Sequence, residues 1–219
     1  MKKLVFAYFT LFSFFGFSQS VNKVSMGLNL GGQYFVSNTI HAVSANPTTH
    51  VDLSGRYMFN NRFGVKVAAG MDQFTFTDAH PKTTQVQVSL QASLNVSQMA
   101  GWHKEACPWS LFAHAGLAYA AMQNTAMISG PRELFKLNKG AIDEMPQLVI
   151  GLNPQFKVSN RLAVQANVNF NGNFMQDNGF DFASAPKTGL FSGMYTTATL
   201  GLNYYFGKAS SNADWNSTK

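Results

Sequence analysis

Residues 199–208 read TLGLNYYFGK, and their side chains alternate strictly in character. The even positions, from Leu200 to Phe206, carry apolar or aromatic side chains, and the odd positions, from Thr199 to Tyr205, carry small or polar ones. The alternation extends back to Met194. A period of two is typical of a β-strand whose two faces meet different surroundings. This stretch therefore predicts a strand with one apolar and one polar face.

The same period recurs in seven stretches upstream. In residues 162–174, glutamine and asparagines line one face and apolar side chains the other, and residues 85–96 repeat the pattern with glutamine and serine. Weaker versions lie at 23–35, 48–59, 63–76, 109–122 and 147–158. With residues 194–206 these segments make eight strands. We predict an all-β fold, an eight-stranded antiparallel up-and-down transmembrane β-barrel.

The connections between these segments differ in length in a regular way. At one end the connections are short at 60–62 and 159–161 and somewhat longer at about 97–108. At the other end they lie at 37–47, 78–82, about 124–146 and about 176–193 and are mostly longer. Short turns at one end and long loops at the other are typical of an outer-membrane barrel, with the turns and both termini in the periplasm and the loops outside. Charged residues make up 12% of the chain, against about 25% in soluble domains. After the first twenty residues no apolar window is long enough for a membrane-spanning helix.

The N-terminus predicts export. Lys2 and Lys3 precede an apolar run from Leu4 to Phe17, the layout of a secretory signal peptide. We predict a cleaved signal peptide at 1–19, the barrel at 20–207 and a periplasmic tail or linker at 208–219. The net charge of +6 falls to about +4 without the two lysines, which is too small and too scattered to indicate nucleic acid. The single cysteine, Cys107, excludes an internal disulfide.

The charged residues within the segments all fall on the polar face. Because an eight-stranded barrel is filled by its own side chains, charges on that face must be paired and hydrogen-bonded. We therefore predict one network in the barrel interior, with two histidines as polar neighbours: Asp52, Arg56, Lys66 and Asp72, with His50 and His114. Pro154 lacks a ladder donor, which predicts a bulge or an early end in the sixth strand.

Aromatic side chains cluster near the predicted periplasmic strand ends. Such residues favour the membrane interface and form girdles around barrels. The predicted periplasmic girdle consists of Trp102, Trp109, Tyr57, Phe59 and Phe63. Its expected role is to position the barrel in the bilayer.

The eight strands and the final motif resemble the OmpA-like outer-membrane barrels of Bacteroidetes, especially those of flavobacteria. Thr199, Gly201, Tyr204 and Phe206 match the terminal-strand signal that the barrel assembly machinery recognises. Residues 212–215, NADW, are similar to a HADW motif that in such proteins leads into a peptidoglycan-binding domain. The residues that would hold a peptidoglycan peptide are absent from this chain. The resemblance therefore implies a barrel portion without that domain.

No motif in the sequence supports an enzyme. Lipid A deacylases of this shape resemble serine hydrolases with a His-x-Ser motif on a strand, and none of the histidines here has serine two places on. Asp177 and Asp181 flank a glycine as in a calcium loop, but the distal glutamate is missing. We expect no catalytic residues, no cofactor and no metal site. Apolar residues of the long loops, at 132–137, 180–182 and 190–191, suit either loop packing or partner binding.

We expect an integral protein of the Gram-negative outer membrane with a structural or anchoring role, which includes that of an accessory subunit in a larger complex. The alternative is a low-conductance passive pore; a lipid-modifying enzyme or an adhesin ranks lower. The expected partners are outer-membrane lipid and lipopolysaccharide, the assembly machinery during insertion, and other outer-membrane proteins through the loops or the tail. Nucleic acid is not expected.

Overall fold

The computed structural model describes residues 21–35, 48–75, 82–102, 107–124, 142–180, 189–209 and 211–215. These residues form eight strands joined in chain order: β1 (Val24–Phe35), β2 (Thr48–Met58), β3 (Phe63–Thr75), β4 (Lys82–Asn95), β5 (Trp109–Asn124), β6 (Ile142–Lys157), β7 (Leu162–Asn173) and β8 (Gly193–Phe206). A short helix, α1 (Val96–Met99), follows β4, and a single 3₁₀ turn spans Ala213–Trp215. No helix in the described residues is long and apolar enough to cross a membrane.

Each strand pairs antiparallel with its neighbours in sequence, and β1 closes the sheet by pairing with β8. The predicted eight-stranded up-and-down barrel is therefore confirmed. Following the paired residues once around the barrel from Val24, through Tyr57, Ala115 and Thr196, returns to β1 at Tyr34, ten residues further on. This stagger requires strands tilted by roughly 40° and leaves an interior that side chains fill.

The two faces of each strand differ as the alternation predicts. On β8, Leu200 is 68% exposed on the outer surface, whereas Asn203 is 3% exposed in the lumen. On β5, where alanines blur the pattern, Leu117 and Tyr119 point outward while Ala118 and Ala120 are buried. The outer surface is apolar around the barrel, and amides, hydroxyls and charges fill much of the lumen.

Three connections lie at one end of the barrel, which we call the tight-turn end. In the first, Asn60 Oδ1 accepts from the amides of Arg62 and Phe63 at 2.8 and 2.9 Å. In the second, Ser159 Oγ accepts from the amides two and three residues on, at 3.2 and 3.1 Å. The third contains α1, which Asn95 caps by accepting from the Gln98 amide. Side-chain capping makes these turns compact. We call the opposite end the loop end.

The sixth strand differs from prediction in two respects. It begins at Ile142, five residues earlier than expected, so Glu144 lies on its outward face. It also runs through Pro154 with an unchanged register to β5, so the expected bulge or early end is wrong, although the pairs with β7 lapse at Asn153 and Pro154. The physical reason lies in the preceding residue: Asn153 Nδ2 donates to the Ala166 carbonyl at 2.7 Å and replaces the donor that proline lacks.

Candidate functional site

The middle of the lumen holds a cluster of three ionisable side chains. His50 and Asp72 are directly paired across β2 and β3, and Asp52 follows on the same face of β2. His50 Nδ1 contacts Asp72 Oδ1, and its Nε2 lies 3.2 Å from Asp52 Oδ2. An ionised carboxylate only accepts, so both contacts are satisfied when each ring nitrogen carries a hydrogen. All three side chains are buried, and their pairing offsets part of the cost of removing charge from water.

Neutral side chains complete this central cluster. Asn29 Nδ2 donates to Asp52 Oδ1 at 2.8 Å, and Gln33 Nε2 donates to Asp72 Oδ1. The Tyr195 hydroxyl lies 3.3 Å from the other oxygen of Asp72. Each carboxylate therefore has a donor besides the imidazole, which is the condition for keeping a buried charge.

Arg56 belongs to a second cluster, nearer the tight-turn end. Its guanidinium pairs with the Asp214 carboxylate, from the tail that follows β8. It also lies 3.3 Å from Gln155 Oε1 and 4.0 Å from the centre of the Phe112 ring. The sequence placed Arg56 with the carboxylates of the strands. Its partner was missed because alternation applies only within strands and is silent on a tail that returns to the barrel.

Lys66 and His114 also face the lumen but form no ion pair with either cluster. Lys66 is the cross-strand partner of Arg56 and is half-buried, and no described carboxylate pairs with it. His114 Nε2 lies 2.8 Å from Asn169 Oδ1. The six residues expected in one network thus all face the lumen, but their ion pairs form two separate clusters, and Lys66 belongs to neither.

A path of side-chain amides joins the two clusters. Gln155 Nε2 donates to Gln165 Oε1 at 3.1 Å, and Gln165 Nε2 donates to Asn29 Oδ1 at 2.8 Å. Gln155 accepts from Arg56 and Asn29 donates to Asp52, so the path is continuous. Gln165 is one of the side chains that the sequence pattern assigns to the polar face, and Gln155 and Asn29 are likewise buried in the lumen.

The tail forms a plug in the tight-turn end. We use this name for residues 211–215, whose Asn212, Ala213 and Asp214 are at most 1% exposed. The Tyr205 hydroxyl donates to Asp214 Oδ2 at 2.5 Å, and the Asn95 side-chain amide donates to the Asp214 carbonyl at 3.1 Å. The carboxylate and the backbone of one residue are thus both held inside the barrel.

The path of the chain into the plug is fixed by Asn22, two residues before β1. The Asn22 amide donates to the Ser211 carbonyl and the Ala213 amide donates to the Asn22 carbonyl, each at 2.9 Å. The chain reverses at Gly207, whose φ of 141° favours glycine. A Cβ on Gly207 would lie 2.0 Å from Asn22 Oδ1. The two ends of the barrel sequence are therefore locked against each other.

An apolar cluster and a loop segment close the lumen at the loop end. The cluster consists of buried side chains from strands and from the segment after β7: Phe74, Ala120, Met122, Met145, Phe180 and Tyr195. Asp143 holds that segment, since its carboxylate accepts from the amides of Asp177 and Asn178 at 3.0 and 2.8 Å. The Phe180 ring centre lies 5.2 Å from that of Phe74. Phe180 thus enters the barrel as a stopper.

The other loop residues noted in the sequence have different surroundings. Phe191 packs against Phe174 with ring centres 4.9 Å apart, and Leu190 is exposed. Residues 132–137, Asp181 and Phe182 lie outside the described residues. The part of the chain that the structure describes contains no group of three potential metal ligands.

The last strand places the four residues of the predicted assembly signal on both faces. Thr199 and Gly201 face the lumen, while Tyr204 and Phe206 lie outside. A Cβ on Gly201 would lie 2.1 Å from the Leu28 carbonyl of β1, so the closing seam of the barrel requires glycine there. Recognition of these residues by an assembly machine stays a prediction.

The five residues of the predicted girdle all lie on the outer surface near the tight-turn end. Trp102 and Trp109 pack with ring centres 6.2 Å apart. Tyr57 and Phe59 pair edge to face at 5.6 Å, and Phe63 is about half exposed. An aromatic band at one end of an apolar belt is the arrangement expected at a bilayer interface.

A closed barrel with an apolar exterior and a filled polar interior is the architecture of small outer-membrane β-barrels. Solved structures share this fold. A major outer-membrane protein from Thermus thermophilus superposes with a TM-score of 0.53 at 11% identity, over 84% of this chain and 99% of that chain. Neisserial surface protein A superposes with a TM-score of 0.51 at 10% identity, over 84% of this chain and 96% of that chain. OprG from Pseudomonas aeruginosa superposes with a TM-score of 0.48 at 12% identity, over 86% of this chain and 97% of that chain.

At these identities the similarity establishes the fold alone. No protein-family model matches the chain, and no curated protein matches it in sequence. The chain is therefore similar to outer-membrane barrels in architecture, and the resemblance to OmpA-like proteins holds at that level.

Proposed function

We propose that this protein is an integral outer-membrane barrel with a structural, anchoring role. Its termini and tight turns face the periplasm and its long loops face outward. The observation that carries the proposal is the closed lumen: the plug fills one end, the central cluster fills the middle, and the apolar cluster around Phe180 fills the other end.

The outer surface supports the membrane location. Large apolar side chains are exposed on every strand, among them Leu30, Val67, Leu90, Leu117 and Leu200. A soluble protein rarely exposes apolar patches beyond a few hundred Å². In a bilayer these apolar side chains contact lipid instead of water, and the girdle residues then lie at the periplasmic surface of the membrane.

The filled lumen disfavours the pore alternative. An ion moving through it would have to displace the plug, break the His50 pairing and pass Phe180, which are three separate barriers. Planar-bilayer recordings of the full mature chain test this directly. We expect no discrete channel openings in the wild type or in Asp214→Ala, because the loop end stays closed in both. Stable open channels in the wild type would favour the pore.

An anchoring role predicts a binding partner outside the lumen. A pull-down from detergent-solubilised outer membranes identifies it: co-purification of a protein complex or of peptidoglycan supports anchoring. Recovery of the barrel alone would count against it. Lipid A mass spectrometry with and without the protein tests the enzyme alternative, and we expect identical spectra.

A further inference from the structure

An apolar groove crosses the outer surface of β2 to β5. Its volume is about 480 Å³. Its walls are the outward side chains of Leu53, Met71, Val86 and Tyr119. Its floor is made by Ala69 and Ala121, which end at Cβ between these larger neighbours. The groove therefore exists because two small residues interrupt the belt of large apolar ones.

A carboxylate lies at one edge of this groove. Glu144 on β6 is the cross-strand partner of Ala121, and the Tyr119 hydroxyl donates to Glu144 Oε2 at 2.6 Å. Among the outward-facing strand side chains that the structure describes, Glu144 alone carries a charge. No described cationic side chain forms an ion pair with it. An ionisable group on a membrane-facing surface is costly and usually serves a function.

The stagger of the barrel sets the relative depth of groove and carboxylate. Cross-strand rows climb toward the loop end with increasing strand number, as the path from Val24 to Tyr34 shows. The row that begins at Val51 passes through the groove and ends at Glu144, the third residue of β6. In the membrane orientation proposed above, the groove lies at acyl-chain depth, and the carboxylate, closer to the loop end, lies toward the headgroups of the outer leaflet.

We propose that this groove and Glu144 bind one outer-leaflet lipid that carries a primary-amine headgroup. One acyl chain lies against Ala69 and Ala121, and the ammonium group pairs with the Glu144 carboxylate that Tyr119 holds in place. Charge complementarity selects this ligand, since an anionic headgroup would be repelled by Glu144. A second copy of the chain, docked through a two-fold axis, would bring two such carboxylates together.

Native mass spectrometry of the full mature protein tests the site. The detergent-solubilised barrel is mixed with phosphatidylethanolamine or with phosphatidylglycerol of identical acyl chains. Because an ion pair between the lipid ammonium group and Glu144 would form at the level of the headgroups, we expect about a fivefold preference for the ethanolamine lipid. Glu144→Gln is expected to abolish the preference, and Tyr119→Phe to weaken it.

The groove is tested separately from the carboxylate. Ala121→Leu fills the floor and is expected to reduce retention of both lipids, whereas the matched control Ala115→Leu changes an outward alanine nearer the tight-turn end and leaves retention unchanged. Equal retention of both lipids by the wild type, or a preference that survives Glu144→Gln, would overturn the proposal. A complex of two protein copies that Ala121→Leu dissolves would assign the groove to a dimer instead.

This inference rests on the proposed membrane location, and a separate experiment tests that location. A barrel that does not sediment with outer membranes on a density gradient contradicts the location. A barrel that sediments with them but shows no headgroup preference contradicts only the lipid site.

Discussion

The pair between Arg56 and Asp214 joins the plug to the barrel wall by opposite charges, so Asp214→Ala tests the plug directly. It leaves the guanidinium without its carboxylate and removes one of the two acceptors of the Tyr205 hydroxyl, the other being Gln155 Oε1. Breaking a buried ion pair by removing one partner costs about 3 to 5 kcal/mol. Because the plug lies at a mouth of the barrel, Arg56 regains some water when the tail leaves. We therefore expect a loss near the lower limit, about 3 kcal/mol.

The assay is equilibrium urea unfolding in lipid vesicles, combined with hydrogen exchange of the backbone amides. The Asn22 and Ala213 amides bond between the two ends of the chain, so their protection should fall in the variant while that of β3 and β4 persists. Asp214→Asn, which keeps the volume of the side chain, should lie between the wild type and Asp214→Ala.

The double variant Arg56→Met with Asp214→Leu provides the matched control. Replacing a buried ion pair by apolar residues of similar size is often neutral, so the double variant should recover most of the stability that Asp214→Ala loses. The reasoning is refuted if Asp214→Ala unfolds within about 0.5 kcal/mol of the wild type, the size of an ordinary surface substitution, and its Ala213 amide exchanges at the wild-type rate.

Three further substitutions probe other parts of the barrel. Phe180→Ala removes a buried aromatic side chain from the loop end and should lower the free energy of unfolding by at most about 3 to 5 kcal/mol in the same urea assay. A loss below about 1 kcal/mol would count against the role of Phe180 as a stopper. Asn153→Ala deprives the Ala166 carbonyl of its donor and should lower the free energy of unfolding by about 1 to 3 kcal/mol. The loss should be visible as faster hydrogen exchange of amides in β6 and β7. Unchanged exchange would show that the Asn153 side chain does not replace the donor that Pro154 lacks. Gly201→Ala places a Cβ against the Leu28 carbonyl, and should slow refolding into vesicles even without assembly machinery, whereas a defect confined to cells would indicate lost recognition instead.

The period of two was sufficient to predict the fold. It assigns a face to each strand residue without knowledge of the register, and Asp52, Arg56 and Asp72, which it assigns to the polar face, are buried in the lumen. It does not determine which residues meet across the lumen, because that depends on the stagger around the whole barrel. Asp214 and Phe180 were beyond its reach, since both lie outside the strands and enter the barrel by chain reversals without periodicity.

Pro154 shows a different limit of sequence reasoning. Proline lacks the backbone donor, as the sequence indicates, but the expected bulge or early strand end does not follow. The neighbouring Asn153 side chain donates a hydrogen bond to β7 instead. A rule stated for one residue fails where an adjacent side chain substitutes for the backbone. The predicted start of β6 was also wrong. The pairs of Met122 with Asp143 and of Ala121 with Glu144 extend the ladder beyond the clearly alternating part of the sequence.

The lumen can be followed as one hydrogen-bonded path from the plug to the loop end. Beyond the central cluster, Gln147 Nε2 lies 3.1 Å from the Tyr195 hydroxyl and 2.6 Å from Asn173 Oδ1, and Asn173 donates to Gln176 at 2.9 Å. Apart from the contact between His50 and Asp52 within β2, each link joins different strands, the plug or the loop segment, so the wall is braced across the lumen at several depths. Such bracing opposes the widening that a channel requires and favours a rigid support. A barrel of this kind leaves its loops and its outer surface as the places where specificity resides, which is why the groove beside Glu144 is the site to test for a ligand.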